Sequence, residues 1–240
     1  MHYSNIVKAT FLSRPNRFVA KVLLDGKERF VHVKNTGRCR ELLIPGATVF
    51  LQDFSQQAQN RKYNYSLISV YKGDVLVNMD SSAPNKVVGE ILLGSEAYVP
   101  DMGKIICVKP EVVFEDSRFD FYVKDENGKE GFIEVKGVTL EEDGVAMFPD
   151  APTTRGIKHL RGLENAYRQG YSATVIFVVQ MTGCKYFTPN YKGVPEFGKA
   201  LEHAEENKVN ICVFECEVSS DTLKISNRIP KILNRQTYTY

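Results

Sequence analysis

The 240-residue sequence contains no tryptophan and no apolar run that approaches the roughly 18 residues needed to span a membrane. Its first residues, Met1 to Asn5, are too polar for a secretory signal peptide. Five cysteines are scattered without a CxxC pair, which is typical of free thiols in a reducing compartment rather than of a zinc or disulfide framework. We therefore expect a cytoplasmic protein with no membrane segment.

Charge is nearly balanced over the whole chain, at a formal net +2, but it is unevenly placed. Residues 1–80 hold twelve lysines and arginines and six acidic residues, a net +6, so the remaining residues carry −4. This asymmetry indicates a polyanion-binding module beside a metal-binding one, although a solvated basic surface would give the same charge.

Short β-patterned runs separated by Asp-Gly, Pro-Gly and Gly-Asp turns fill the first eighty residues, without a good helix. The runs are residues 6–12, 18–24, 30–33, 48–51, 66–71 and 75–78. This spacing predicts a small barrel, for which an OB-like barrel is the natural candidate. We place the domain boundary at the polar break near residue 82, so that residues 1–82 form the barrel and residues 83–240 a second domain.

The second part alternates helical and strand patterns, which predicts an α/β layered domain. The predicted helices are residues 84–93, 154–169 and 196–207. The predicted strands are residues 105–108, 112–114, 119–123, 132–136, 173–180 and 209–217.

Strand 132–136 presents Glu134 and Lys136 on one polar face. Alternation along residues 118–123 puts Phe119 and Phe121 on one face of the preceding strand and Asp120 on the other. The connecting turn decides whether the two carboxylates meet. A two-residue Asn-Gly loop would put Asp120 on the wrong face. A three-residue loop over 126–128, with Gly128 left-handed, would put Asp120 opposite Glu134, and we predict this register or a bulge of the same effect.

Two carboxylates this close repel each other unless a cation lies between them. We therefore predict a Mg²⁺ or Mn²⁺ site with Asp120 and Glu134 as ligands and with Glu90, on the preceding helix, within reach. Lys136 would orient or deprotonate a metal-bound water or stabilise developing charge. An isolated E-x-K triplet is more often a weak surface pair, so the prediction depends on Asp120.

The stretch "FPDAPTTRGIKHL" places Asp150 just before a helix whose N-cap is Thr153 or Thr154. Arg155 and His159 are four residues apart and share one side of that helix. We predict that both contact a phosphate, with His159 among the catalytic residues and Asp150 or His159 behind the metal ligands. A capped surface helix with a partly buried histidine is the alternative.

Two clusters in the barrel combine basic, amide and aromatic side chains, as OB domains do when they grip a nucleic-acid strand. We predict nucleic-acid contacts from Arg14, Asn16, Arg17, Phe18, His32, Asn35 and Arg38. In the second cluster, which begins at His32, the stretch Asn35-Thr36-Gly37 also fits an ordinary turn.

A carboxylate followed by E-x-K on an αβββαβ core resembles the PD-(D/E)xK nuclease superfamily, with Phe119-Asp120 standing where the superfamily has Pro-Asp. More narrowly, the chain is similar to the sugar fermentation stimulation protein A family. The stretches that carry this resemblance are "RPNRFVA" (14–20), "VHVKNTGRCRELLIPG" (31–46), "APNKVVGE" (83–90), "SRFDF" (117–121), "EVKGVTL" (134–140) and "FPDAPTTRGIKHLRGL" (148–163).

The resemblance implies an N-terminal OB-like domain, a restriction-endonuclease-like α/β domain, DNA as partner and a link to the regulation of sugar metabolism. Two functions follow: a magnesium-dependent nuclease, or a non-catalytic DNA-binding regulator that keeps the nuclease scaffold. The intact Asp120, Glu134 and Lys136 favour the nuclease. A sugar-binding barrel is a weaker alternative because it would need exposed tryptophan platforms, and the sequence is compatible with an oligomer.

Overall fold

The computed structural model describes residues 1–35, 37–57, 61–94 and 99–233. Among these residues, strands predominate and three α-helices are present. None of the helices in these ranges is long and apolar enough to cross a membrane.

The N-terminal part is a closed β-barrel, as the sequence predicts. Its sheet has the order β3-β2-β1-β4-β5-β6, and parallel pairing of His32 with Ser66 and of Val33 with Leu67 closes it between β3 and β5. Alternate side chains fill the interior because successive residues of a strand point to opposite faces. The strands are β1 (Ile6–Asn16), β2 (Val19–Leu24), β3 (Lys27–Val33), β4 (Thr48–Asp53), β5 (Tyr65–Lys72) and β6 (Val75–Asn78).

The second part is an α/β domain built on a mixed sheet of order β15-β14-β12-β9-β8-β7, with a small sheet of order β10-β11-β13 beside it. Strands β9, β12 and β14 run parallel, and β7, β8 and β9 form an antiparallel meander. The elements are α1 (Ala83–Leu92), β7 (Ile105–Phe114), β8 (Ser117–Asp125), β9 (Glu130–Val138), β10 (Leu140–Glu142), β11 (Val145–Phe148), α2 (Thr154–Arg168), β12 (Ser172–Val179), β13 (Tyr186–Pro189), α3 (Pro195–Glu206), β14 (Asn210–Val218) and β15 (Leu223–Arg228).

Two apolar cores hold this domain, one on each side of the large sheet. Val87 and Val88 of α1 pack with Ile133 and Val135 of β9 in the smaller core. The larger core contains the apolar residues of α2 and α3 and continues into the barrel interior. The barrel and the α/β domain are therefore packed against each other through a shared apolar cluster.

The hairpin between β8 and β9 has the predicted three-residue loop. Gly128 has a φ of 83°, which glycine adopts without the penalty that other residues pay. The Asp125 N–H donates to the Lys129 carbonyl at 2.9 Å, and Phe121 pairs with Ile133. The predicted register is confirmed.

The alternation of side chains along β8 differs from the prediction at one point. Phe119 packs on Phe132 and His159 on the α2 side, whereas Phe121 lies against Gly89 of α1. The prediction that both phenylalanines share a face is therefore wrong. The break falls at Asp120, where pairing with β9 has ended and where the neighbouring strand β7, predicted as two strands, is continuous but turns through a left-handed Glu111 (φ 56°).

Candidate active site

Glu134 lies near the middle of β9 and is 3% exposed. Its Oε1 atom accepts hydrogen bonds from Lys136 Nζ at 2.5 Å and from His159 Nδ1. Its Oε2 atom is buried and has no hydrogen-bond partner among the described residues. A buried carboxylate oxygen without a protein partner is costly, so this atom is available to a hydrogen-bond donor or to a cation.

Helix α2 holds Glu134 from the other side through a short chain of hydrogen bonds. Thr153 caps the helix by accepting from the Gly156 N–H at 3.0 Å, which confirms the predicted N-cap. In the first turn of the helix, Arg155 Nε donates to Nε2 of His159, one turn further along, at 3.3 Å. Since an arginine can only donate, His159 Nε2 accepts and His159 Nδ1 carries the proton that is donated to Glu134.

Asp120 lies where the pairing of β8 with β9 ends and links β9 to α1. Its Oδ2 accepts from the Val135 N–H of β9 at 2.7 Å, and its Oδ1 accepts from Asn85 Nδ2 of α1 at 2.7 Å. The side chain of Asp120 therefore reaches the β9 backbone at the residue next to Glu134.

The two carboxylates nevertheless interact, and their pKa values move in opposite directions. Burial and then the negative charge of Glu134 raise the pKa of Asp120 above its ordinary value. Burial would also raise the pKa of Glu134, but the hydrogen bond from His159 and the charge of Lys136 outweigh burial and hold it below its ordinary value. Glu134 is therefore the firmly ionised member of the pair, and Asp120 is the one that gains from a nearby cation.

The residues present fit a divalent cation that keeps most of its water. Asp120 and Glu134 supply carboxylate oxygens, one of them the unpartnered Oε2. Within residues 1–35, 37–57, 61–94 and 99–233, no group of three or more His, Cys, Asp and Glu side chains is arranged to hold a metal ion. Mg²⁺ is commonly bound through one or two carboxylates with waters in the other positions, which matches this donor set.

Glu90 does not join this cluster, contrary to the prediction. Its Oε2 atom lies 2.8 Å from the N-terminal ammonium of Met1, which also donates to the carbonyl of Leu223 on β15. Strand β15 is three strands away from β9, about 14 Å at the usual strand spacing. The α1 residue that contacts the site is Asn85, five positions earlier and on a different side of the helix.

Asp150 also has a different partner from the predicted one. Its Oδ2 atom accepts from the Cys39 N–H of the barrel at 3.0 Å, so this carboxylate joins the two domains instead of supporting the metal ligands. A Cβ on Gly37 would come within 2.8 Å of the same oxygen, which leaves no room there for a larger residue. The phosphate and second-layer role expected of Asp150 is therefore not supported by its contacts.

The predicted nucleic-acid residues of the barrel divide into two groups. Arg14 donates through Nη1 and Nη2 to four backbone carbonyls, and Asn16 and Asn35 accept from backbone N–H groups two residues on. These three residues shape the loops of the barrel rim. Exposed side chains remain at Arg17, Phe18 and Arg38.

His32 is half-buried at the end of β3 and pairs with Val19 across the sheet. Burial, followed by the positive charge of Lys34, lowers its pKa, so this histidine is neutral near pH 7 and adds no charge to the basic surface.

Sequence reasoning missed two residues, one beside the carboxylate cluster and one on the barrel rim. Asn85 reaches Asp120, and only its place in the first turn of α1 could have indicated it. Arg40 lines the barrel rim together with Arg38, and the stretch "RCR" that holds both arginines could have indicated it.

The fold and the site together define a class: an OB-type barrel joined to a restriction-endonuclease-type α/β domain. A family model described as "SfsA N-terminal OB domain" matches residues 12–79, and one described as "Sugar fermentation stimulation protein RE domain" matches residues 82–222. The chain belongs to the sugar fermentation stimulation protein family.

Relatives agree along nearly the whole chain. A sugar fermentation stimulation protein homolog of Desulfitobacterium hafniense (strain DSM 10664 / DCB-2) is 54% identical over 93% of this chain and 95% of its own length. The homolog of Clostridium beijerinckii is 50% identical over 97% of this chain and 100% of its own. A solved structure of Pyrococcus furiosus SfsA in complex with Ca²⁺ is 27% identical, with a TM-score of 0.81, and the alignment covers 97% and 98% of the two chains.

Proposed function

We propose that the protein hydrolyses phosphodiester bonds in nucleic acid, most readily DNA, with the help of Mg²⁺ or Mn²⁺. The observation that carries this proposal is the buried, unpartnered Oε2 atom of Glu134 beside an Asp120 whose pKa is raised. The complex of Pyrococcus furiosus SfsA with Ca²⁺ supports a divalent cation in this family. In this proposal residues 1–82 hold the nucleic acid and residues 83–240 cut it.

A divalent cation bound here would polarise a phosphoryl oxygen and supply a water of lowered pKa. Asp120 and Glu134 would hold it with the Asp120 oxygens and Glu134 Oε2. Lys136, whose side chain is 15% exposed, would face the phosphate with an ammonium already anchored on Glu134 Oε1. Its charge would stabilise the negative charge that develops on the phosphoryl oxygens.

Arg155 and His159 act through Glu134 in this proposal. The His159 N–H occupies Oε1, so Glu134 cannot rotate freely and Oε2 stays directed at the cation. Groups behind metal ligands commonly fix ligand orientation in this way. His159 is then a positioning residue rather than a group that touches the substrate.

A Mg²⁺ and Mn²⁺ titration with labelled single- and double-stranded DNA tests the proposal. We expect metal-dependent cleavage that Glu134→Ala lowers by about 10³-fold or more, because several kcal/mol of transition-state stabilisation are lost. DNA binding by the variant should persist. Absence of cleavage from every substrate and metal, with DNA still bound, would contradict the proposal.

DNA binding without cleavage would favour the alternative, a non-catalytic DNA-binding regulatory protein that retains the nuclease scaffold. The observation in its favour is the group of exposed arginines on the barrel rim, because those side chains do not need the carboxylate cluster in order to bind a polyanion.

A further inference from the structure

A groove between the barrel and the α/β domain carries positive charge on one wall only. The groove has a volume of about 450 Å³, and Arg17, Arg38 and Arg40 line it from the barrel side. Ala151 and Pro152 form the opposite wall. No acidic side chain is among the described residues that line it. We call this feature the arginine groove.

The three arginines of the groove are available to a ligand. All three side chains are exposed, and none makes an ion pair with another described residue. Basic side chains on a protein surface usually find acidic neighbours when the overall charge is nearly balanced, as it is here. Three unpaired guanidinium groups in one recess therefore form a concentrated anion site, and guanidinium forks match phosphate oxygens in geometry.

The loops that carry these arginines are fixed from both domains. Arg14 donates to the carbonyls of Arg17 and Arg38, so both arginine-bearing segments are tied to one guanidinium. Asp150 accepts from the Cys39 N–H between Arg38 and Arg40. The groove is thus held open before a ligand arrives, and ordering its loops costs the ligand little binding energy.

A second recess adjoins the arginine groove. It has a volume of about 290 Å³ and shares Gly37, Ala151 and Pro152 with the groove. It is lined by Gly137, near the end of β9, and by Thr153, which caps α2. The groove is therefore continuous with a recess of the α/β domain.

An exposed aromatic ring beside the groove favours one strand over two. Phe18, next to Arg17, exposes 53% of its surface, and an exposed ring of this kind stacks on an unpaired base. Paired bases in a duplex keep their faces covered by neighbouring bases.

We propose that the arginine groove binds the backbone of a single nucleic-acid strand through about three phosphates. This inference extends the proposed function by naming single-stranded nucleic acid as the substrate class. The binding itself does not need the metal, so it can be tested apart from cleavage.

The experiment measures the affinity of the full chain for a labelled oligothymidylate by fluorescence anisotropy in EDTA, over a series of NaCl concentrations. Each phosphate contact with a single strand contributes about 0.7 to the slope of log affinity against log salt. Arg17→Ala, Arg38→Ala and Arg40→Ala should each weaken binding by roughly 10-fold and flatten the slope by about 0.7, and the triple variant should flatten it by about 2.

Lys224→Ala is the matched control, because Lys224 is an exposed cation on β15, away from the groove. It should leave affinity and slope unchanged. An equal loss of affinity in the Lys224 variant, or no loss of affinity in the arginine variants, would show that the arginine groove is not the binding site. Duplex DNA that binds as tightly as the single strand, with the same dependence on the arginines, would overturn the single-strand assignment. If the arginine variants lose binding but the wild type cleaves no substrate, only the nuclease proposal is refuted.

Discussion

Asp80 and Glu134 are both buried carboxylates held below their ordinary pKa, yet their oxygens differ in how far they are hydrogen-bonded. Asp80 Oδ1 accepts from the N–H and hydroxyl of Ser82, and Oδ2 accepts from Lys34 and Tyr3. Within the described part of the chain, Glu134 has two donors on Oε1 and none on Oε2. A carboxylate with every oxygen satisfied supports the fold, whereas one with an unpartnered oxygen can also bind a ligand.

Asp80 lies where the domains join, which explains why both of its carboxylate oxygens have hydrogen-bond donors. Lys34 follows the barrel strand β3, and Ser82 precedes α1. Gln180, which follows β12, donates to the Asp80 carbonyl at 3.1 Å. One residue thus connects the barrel, the first helix and the central sheet.

Asp80→Asn should have the largest effect on stability. The amide would turn an NH₂ group toward the donors Lys34 and Tyr3, or toward those of Ser82. We expect the free energy of unfolding to fall by about 3 kcal/mol, measured by urea denaturation at pH 7. Asp116→Asn is the matched control, because Asp116 forms an exposed ion pair with Lys158, and it should change stability little.

The pH dependence sharpens this comparison. Burial alone would raise the pKa of Asp80, but the Ser82 hydrogen bond and the charge of Lys34 outweigh it and lower the pKa. Because the folded pKa lies below the unfolded value of about 3.9, the stabilisation is complete above that value and is lost as pH falls through the folded pKa. Asp80→Asn should remove this part of the acid dependence, and an unchanged acid limb would contradict the assignment.

His159→Ala should have an intermediate effect on metal binding. Without the Nδ1 hydrogen bond, Glu134 can rotate, and we expect divalent-ion affinity to fall roughly 10- to 100-fold. Calorimetric titration with Ca²⁺ measures this directly. Arg161→Ala, at an exposed position on the same helix, should bind the ion like the wild type. Equal affinity in both variants would show that His159 does not position Glu134.

Local signals predicted much of the fold and half of the site. The three-residue loop over 126–128 with a left-handed Gly128 predicted the hairpin register, and the short β-patterned runs between turns predicted the barrel. Strands β10, β11, β13 and β15 escaped prediction. Strands β10, β11 and β13 are only three or four residues long, and β11 pairs in parallel with the distant β13.

The errors at the site have a common physical cause. Glu90 and Asn85 lie on the same helix, and only packing decides which one faces Asp120. The second helix motif contained Asp150, but its partner Cys39 lies 111 residues away. A pattern of residues can indicate that carboxylates matter, but the direction of each side chain is set by tertiary contacts that sequence spacing does not contain.

The proposal that Glu134 Oε2 is a metal ligand is tested most directly by thermal unfolding of the wild type and of Glu134→Gln, with and without Ca²⁺. The wild type should gain about 2.7 kcal/mol of stability at an ion concentration about 100 times the Kd. Glu134→Gln should gain almost nothing from the ion while remaining folded without it. Equal stabilisation of both proteins by Ca²⁺, or none of the wild type, would show that Glu134 Oε2 is not a metal ligand.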